Sequence, residues 1–66
     1  MNVIINGESR VFKDNITLLA LLKELSLEEK VMAAAINMNI IKQDSWKTHL
    51  VKEGDRLELL DFVGGG

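Results

Sequence analysis

Cysteine and tyrosine are absent from the 66 residues of this sequence, and histidine occurs once. Without cysteine, the chain can form neither a disulfide nor a thiolate metal site. Nucleophilic catalysis needs a serine, threonine or cysteine beside a base that a third group orients, and His49 is the only imidazole available as that base. Asp44 shares an irregular segment with His49, but no three or four ligands converge in the pattern of a metal site. We therefore expect a protein that is not an enzyme and that has neither a metal nor a cofactor.

Long apolar runs and an excess of positive charge are also missing. No apolar run reaches the length that spans a membrane, and no basic segment followed by an apolar one opens the chain. The formal net charge of −2 at pH 7 argues against an electrostatic surface for nucleic acid. No glycine-rich loop precedes a helix, so no phosphate cradle is predicted. We expect one small domain in the cytoplasm, with neither nucleic acid nor membrane as a partner.

Alternating apolar residues and a turn signal predict a hairpin at the start of the chain. In residues 1–5 the side chains alternate between two faces, which places Ile4 on the face away from the core. Asn6-Gly7 then favours a type I′ turn, because both central residues of that turn need positive φ. A second strand is predicted at residues 9–13, with Phe12 as its core residue.

Leucines at helical spacing predict one amphipathic helix at residues 18–25. One apolar stripe is formed by the positions i, i+3, i+4 and i+7, which are Leu18, Leu21, Leu22 and Leu25. Thr17, just before the stripe, has the hydroxyl that an N-cap residue needs. We expect this helix to cover one face of a sheet.

Three further strands are predicted at residues 31–36, 40–41 and 56–62. Trp46 is expected to anchor the irregular segment 44–50, which precedes the last strand. In the last strand Leu57 and Leu59 should face the core, which places Leu60 on the opposite face.

The order of elements is therefore strand, strand, helix, strand, short strand, strand. A hairpin, a crossing helix and a return to the sheet centre give a mixed sheet with one helix on one face. The last strand should lie parallel beside the first. This order predicts an α+β fold of the β-grasp, or ubiquitin-like, type.

Three of the five glycines end the sequence, at Gly64, Gly65 and Gly66. A turn glycine allows a chain to reverse direction, but these glycines have no following segment to redirect. They predict a domain at 1–63 and a flexible arm at 64–66 that carries an α-carboxylate with no side chain beside it. Such an arm is suited to insertion into the active site of another protein. The alternative is a frayed terminus, since chain ends are often poorly ordered.

Apolar residues on the sheet face away from the helix are candidates for partner docking. Ile4, Leu60 and Phe62 fall on or near that face under the predicted alternation. A contiguous apolar patch beside the arm would mark a docking surface. Isolated exposed apolar residues, in contrast, are common on protein surfaces and have no functional meaning.

Over its whole length the sequence resembles the ThiS family, the ubiquitin-like sulfur-carrier proteins of thiamin biosynthesis. The resemblance depends on the joint order and spacing of six short pieces, namely Asn6-Gly7, Thr17 with Leu21-Leu22, Ala35-Ile36-Asn37, Trp46, residues 50–55 and the final Gly65-Gly66. Two places depart from the usual family pattern. Ile41-Lys42-Gln43 stands where many members have Val-Pro-Arg, and Met38-Asn39 stands where many have a glycine turn.

The resemblance implies a function for the terminal carboxylate. In the ThiS family an E1-like enzyme uses ATP to adenylate the last glycine, which would be Gly66 here. A sulfur donor protein then converts the acyl-adenylate to a thiocarboxylate, and thiazole synthase uses this group as its sulfur source. The alternatives are the related sulfur carrier of molybdopterin synthesis, a ubiquitin-like modifier attached through Gly66, and a plain interaction module.

Overall fold

The computed structural model describes residues 1–61. Their regular elements, in chain order, are β1 (Asn2–Ile5), β2 (Glu8–Val11), α1 (Leu18–Glu24), β3 (Val31–Ile36), β4 (Asn39–Ile41), a 3₁₀ turn (Gln43–Ser45) and β5 (Arg56–Asp61). The predicted helix and all the predicted strands are present. Within the described range their bounds differ from the predicted ones by no more than two residues.

One mixed sheet contains five strands in the order β2-β1-β5-β3-β4. β1 and β5 are parallel, while the β1–β2, β3–β4 and β3–β5 pairs are antiparallel. The strand that comes last in the sequence therefore lies at the centre of the sheet, between the first and the third. This topology confirms the α+β fold of the β-grasp type and the parallel pairing of the last strand with the first.

The first hairpin turns at Asn6 and Gly7, whose φ angles are 49° and 88°. Positive φ at both positions is the type I′ geometry that the sequence predicts. β2 ends at Val11 rather than at residue 13, so the prediction that Phe12 lies within the strand was wrong. Phe12 is nevertheless a core residue, because its N–H donates to the Met1 carbonyl (2.9 Å) and its side chain is buried.

The first turn of α1 has a hydrogen-bond acceptor for each of its N–H groups, which would otherwise be orphaned at a helix start. Thr17 is the N-cap, and its Oγ1 accepts from the Ala20 N–H at 3.1 Å. The carbonyls of His49 and Trp46 accept from Leu18 and Leu19 at 2.8 and 2.9 Å. The irregular segment around Trp46 therefore completes the cap that Thr17 begins.

A Schellman motif ends α1, with Ser26 in the left-handed conformation (φ 59°) where glycine is usual. The Leu27 N–H donates to the Leu22 carbonyl at 2.8 Å, and the Ser26 N–H donates to the Lys23 carbonyl at 3.0 Å. Leu27 packs against the core after this turn. The helix is thus limited at both ends by local hydrogen bonds.

The core lies between α1 and one face of the sheet. Its least exposed large side chains, all less than 2% exposed, are Val3, Ile16, Leu18, Leu21, Leu22 and Leu57. Trp46 closes one end of this core, since its ring is buried and its Nε1 donates to the Ile41 carbonyl at 2.9 Å. Trp46 is the anchor that the sequence predicts for its segment.

Candidate functional site

The central strand β5 leads directly to the end of the chain. It runs from Arg56 to Asp61 between β1 and β3. The proposed docking residue Phe62 and the proposed arm, Gly64, Gly65 and Gly66, lie outside the described residues, as does the predicted domain boundary after residue 63. The described part of the site therefore ends at Asp61 and lies on β5 and its neighbouring strands.

β5 has one buried and one exposed face. Leu57 and Leu59 are 1% and 7% exposed, while Leu60 is 59% exposed. The period of two along a strand accounts for this difference, since alternate side chains point to opposite faces of the sheet. The prediction that Leu60 projects from the face opposite α1, called the open face below, is confirmed.

Leu60 belongs to a shallow apolar depression on the open face. Its register partner on β3 is Ala33, and Ala35 is paired with Glu58 on one side and with Ile40 of β4 on the other. The depression has a volume of about 370 Å³ and is lined by Asn6, Ala33, Ala34, Ala35, Ile40, Glu58, Leu59 and Leu60. The alanines create it, because their short side chains lie lower than the leucine and isoleucine beside them.

Ile4 lies on the same face but outside the depression. It is half-buried on β1, and its register partner on β5 is Arg56 rather than Leu60. Four residues of strand separate Arg56 from Leu60, which corresponds to about 13 Å. The structure therefore does not bring together Ile4 and Leu60, although both were predicted to contribute to docking.

The most exposed large apolar residue of the depression, Ile40, was not among the predicted site residues. Ile40 is 78% exposed, while its neighbour Ile41 is half-buried and packs against the core. An Ile-Ile pair in a short strand must present one side chain to each face. That pattern could have indicated an exposed isoleucine, but only the turn at residues 37–38 determines which of the two it is.

One acidic side chain interrupts the apolar lining. Glu58 is the only titratable residue among those that line the depression, and it is exposed. Arg56, two residues earlier on β5, lies on the same face beside Ile4. A partner that covers this surface therefore contacts an apolar depression that includes the Glu58 carboxylate and has the Arg56 guanidinium beside it.

Metal-ligating side chains do not form a cluster within the described range. Among residues 1–61, no group of three His, Cys, Asp or Glu side chains is placed to hold a metal ion. His49 contributes its backbone carbonyl to the start of α1, which gives this residue a structural role. In the same range, no helix is long and apolar enough to cross a membrane.

Comparison with known proteins gives consistent matches over the whole chain. The model of the ThiS family matches residues 3–66. The chain is 39% identical to a thiazole synthase of Paramagnetospirillum magneticum, where it spans 20% of that protein's length. It is 29% identical to the sulfur carrier protein ThiS of Escherichia coli, with complete coverage of both chains.

Solved structures agree with these matches. The crystal structure of the thiamine biosynthesis protein ThiS from Geobacter metallireducens superimposes with a TM-score of 0.82 at 27% identity, and both chains are fully covered. The solution structure of a thiamine biosynthesis protein from the same organism gives a TM-score of 0.79 at 26% identity, covering 100% of this chain and 88% of the other.

Proposed function

The chain belongs to the ThiS family, and from this premise we propose that it is a sulfur carrier for thiazole formation in thiamin biosynthesis. The observation that carries the proposal is that the family match continues to Gly66, so the terminal glycines are part of the shared pattern. Under this proposal residues 1–63 are the docking domain and residues 64–66 are the arm. The protein is a carrier that partner enzymes act on, not a catalyst.

Activation of the Gly66 carboxylate is the first chemical step of the proposal. A free carboxylate is a resonance-stabilised anion and a poor acyl electrophile, so it needs a better leaving group. In an E1-like partner, a carboxylate oxygen attacks the α-phosphorus of ATP and pyrophosphate leaves. A sulfur donor protein then supplies sulfur at the oxidation level of sulfide, and this sulfur attacks the carbonyl carbon of the acyl-adenylate while AMP leaves. The resulting thiocarboxylate is the group that thiazole synthase would consume.

The open face of the sheet provides the surface that holds the partner during this step. Ordering a glycine arm in a channel costs about 1–2 kcal/mol per residue in backbone entropy. Burying the apolar depression around Leu60 and Ile40 offsets that cost at about 25 cal/mol per Å² of apolar surface. The depression lies on the strand that leads to the arm. Docking there would therefore place the start of the arm at the partner's channel.

Thiazole synthase is the second proposed partner. A thiazole synthase relative contains a region that matches this entire chain, which supports an association between the two functions. We expect Ile4, Leu60 and Phe62 to contribute to these contacts, and Ile40 joins them because of its exposure beside Ala35.

The first experiment tests the chemistry at Gly66. Adding one alanine after Gly66 leaves the domain unchanged but moves the carboxylate and adds a side chain beside it. We expect the extended protein to lose ATP–pyrophosphate exchange with the matching adenylating enzyme while it still binds that enzyme. Intact mass of the native carrier from cells that make thiamin should show one terminal oxygen replaced by sulfur. Full exchange activity of the extended protein would refute the carrier mechanism, and a ladder of larger conjugates would support a modifier instead.

The second experiment tests the docking face. Leu60→Asp introduces a charge into the apolar depression at a side chain that is 59% exposed. We expect weaker binding to the adenylating enzyme by tenfold or more, about 1.4 kcal/mol, with an unchanged circular dichroism spectrum.

Val11→Asp is the matched control for Leu60→Asp. Val11 is 78% exposed and lies on β2, at the edge of the sheet and two strands from β5. Its register partner is Asn2 of β1. The same substitution there should leave binding within about twofold. Equal losses in the two variants would mean that general charge, not the depression, determines binding.

A further inference from the structure

The ladder between β1 and β5 ends before β5 does. The carbonyls of Asp55 and Leu57 accept from the backbone N–H groups of Ile4 and Asn6, each at 2.9 Å. Alternate residues of a strand direct their backbone groups to the same side, so Leu59 is the next residue that faces β1. β1 has already turned away at Asn6-Gly7. No β1 backbone group continues the ladder at Leu59.

The side chain of Asn6 takes the place of that missing backbone. Its Oδ1 accepts from the Leu59 N–H at 2.9 Å, and its Nδ2 donates to the Leu59 carbonyl at 3.3 Å. A primary amide can do this because it has a donor and an acceptor side by side, as a strand residue does. Asparagine also tolerates the left-handed backbone (φ 49°) that the turn requires at this position.

Asn37 makes a similar contact at the other end of β5. It also has a left-handed backbone (φ 52°), in the turn between β3 and β4. Its Oδ1 accepts from the Arg56 N–H at 3.0 Å, and its Nδ2 donates to the Asp55 carboxylate at 3.0 Å. The two hairpin turns thus each place one asparagine against the backbone of the central strand.

The C-terminal end of β5 depends more on Asn6 than its N-terminal end depends on Asn37. At Leu57, β5 is paired with Ile5 of β1 and with Ile36 of β3, and at Arg56 it is paired with Ile4 of β1 and bonded to Asn37 of the turn. Toward Asp61, the β3 side has a register shift between Val31 and Ala33, and the β1 side has only the Asn6 side chain in the described structure. A β-bulge weakens the local ladder, and β3 remains paired with Leu59 and Leu60 through Ala34 and Ala33. On the β1 side, Asn6 is the restraint on Leu59.

We propose that Asn6 is a positioning residue for the carrier reaction, because it keeps residues 59–61 in the sheet so that Leu60 stays in the docking depression. This inference rests on the proposed function. Without the Asn6 amide, residues 59–61 detach part of the time, which removes Leu60 from the open face. Partner binding must then first restore the strand. The apparent Kd for the partner rises in inverse proportion to the fraction of molecules in which the strand is intact.

The test compares Asn6→Gly with Asn15→Gly. Glycine keeps the left-handed backbone at either position, and Asn15 is an exposed asparagine outside the sheet with φ 61°. The first measurement is hydrogen exchange at the Leu60 amide, because Leu60 faces β3 and makes no bond with Asn6 itself. We expect exchange about tenfold faster in Asn6→Gly and within about twofold of the wild type in Asn15→Gly.

The second measurement is pyrophosphate exchange with the matching adenylating enzyme, with the carrier as the varied substrate. We expect the KM for Asn6→Gly to rise about fivefold or more with kcat nearly unchanged, because the loss is in ground-state binding. Asn6→Asp should follow Asn6→Gly in both measurements, since it keeps the size of the side chain but directs an oxygen at the Leu59 carbonyl. Thermal melting must show each variant fully folded at the assay temperature, so that global unfolding does not account for the KM.

Each outcome decides the inference. An unchanged hydrogen-exchange rate at the Leu60 amide in Asn6→Gly would overturn the restraint. Faster exchange at this amide with an unchanged KM would overturn the role of Asn6 in positioning. A raised KM with an unchanged amide would mean that Asn6 contacts the partner directly, which also overturns it. If the wild-type carrier shows no pyrophosphate exchange, the proposed function fails, and the amide measurement still tests the restraint.

Discussion

At the scale of single residues, Met38 occupies a backbone conformation that suits glycine. Its φ is 72° and its side chain is 90% exposed, so no packing compensates for the strain. A left-handed conformation costs a non-glycine residue about 1–2 kcal/mol. Glycine at this position would relieve that strain, but its larger conformational entropy in the unfolded state offsets part of the relief. We expect Met38→Gly to stabilise the domain by about 0.5–1 kcal/mol. A urea titration that follows Trp46 fluorescence measures the change.

Gly54→Ala is the reciprocal control for Met38→Gly. Gly54 has φ 80°, and an added Cβ would meet no atom within 4 Å. No steric contact therefore contributes to the loss of stability. We expect a net loss of about 0.5–1 kcal/mol, since the smaller unfolded-state entropy of alanine offsets part of the backbone strain. A destabilised Met38→Gly protein would contradict this account of the turn.

At the scale of elements, α1 depends on its packing. A helix of 7 residues is too short to be stable by itself, and Leu22 is fully buried between it and the sheet. We expect Leu22→Ala to cost about 2–5 kcal/mol, which is comparable to the whole stability of a domain of this size. Thermal melting should show the variant largely unfolded, while Leu60→Ala, at an exposed position, should shift the free energy of unfolding by less than about 0.5 kcal/mol.

The elements differ in how far the sequence predicts them, and the reason lies in what defines each end. The start of α1 was predictable because Thr17 is a good N-cap residue, and the first hairpin because Asn6-Gly7 is specific for one turn type. The end of α1 was less so, since Ser26 replaces the glycine that usually marks a Schellman motif. The exposed position of Leu60 followed from a period of two, which applies within one strand.

Features of the site that depend on two distant segments were not predictable from local pattern. Ile40 reaches the depression because β4 pairs with β3 in a register that the turn at residues 37–38 determines. Asn6 and Leu59 are 53 positions apart in the sequence, and only the parallel pairing of β1 with β5 brings them together. The same pairing separates Ile4 from Leu60, which the alternation alone had placed on one surface.

At the scale of the whole molecule, the proposed reaction requires a fixed distance between the docked sheet and the carboxylate. Five residues follow Asp61 in the sequence and span at most about 18 Å when extended. Deleting Gly66 shortens this reach by about 3.3–3.6 Å, which exceeds the tolerance of a near-attack geometry. We expect pyrophosphate exchange to collapse while binding to the adenylating enzyme survives, because the depression around Leu60 is unchanged.

Deleting Val63 should also abolish pyrophosphate exchange, although three terminal glycines remain. Gly64→Ala, which keeps the length of the arm, should retain activity. A fully active Val63 deletion would show that the terminal glycines matter for their lack of side chains and that the length of the arm does not.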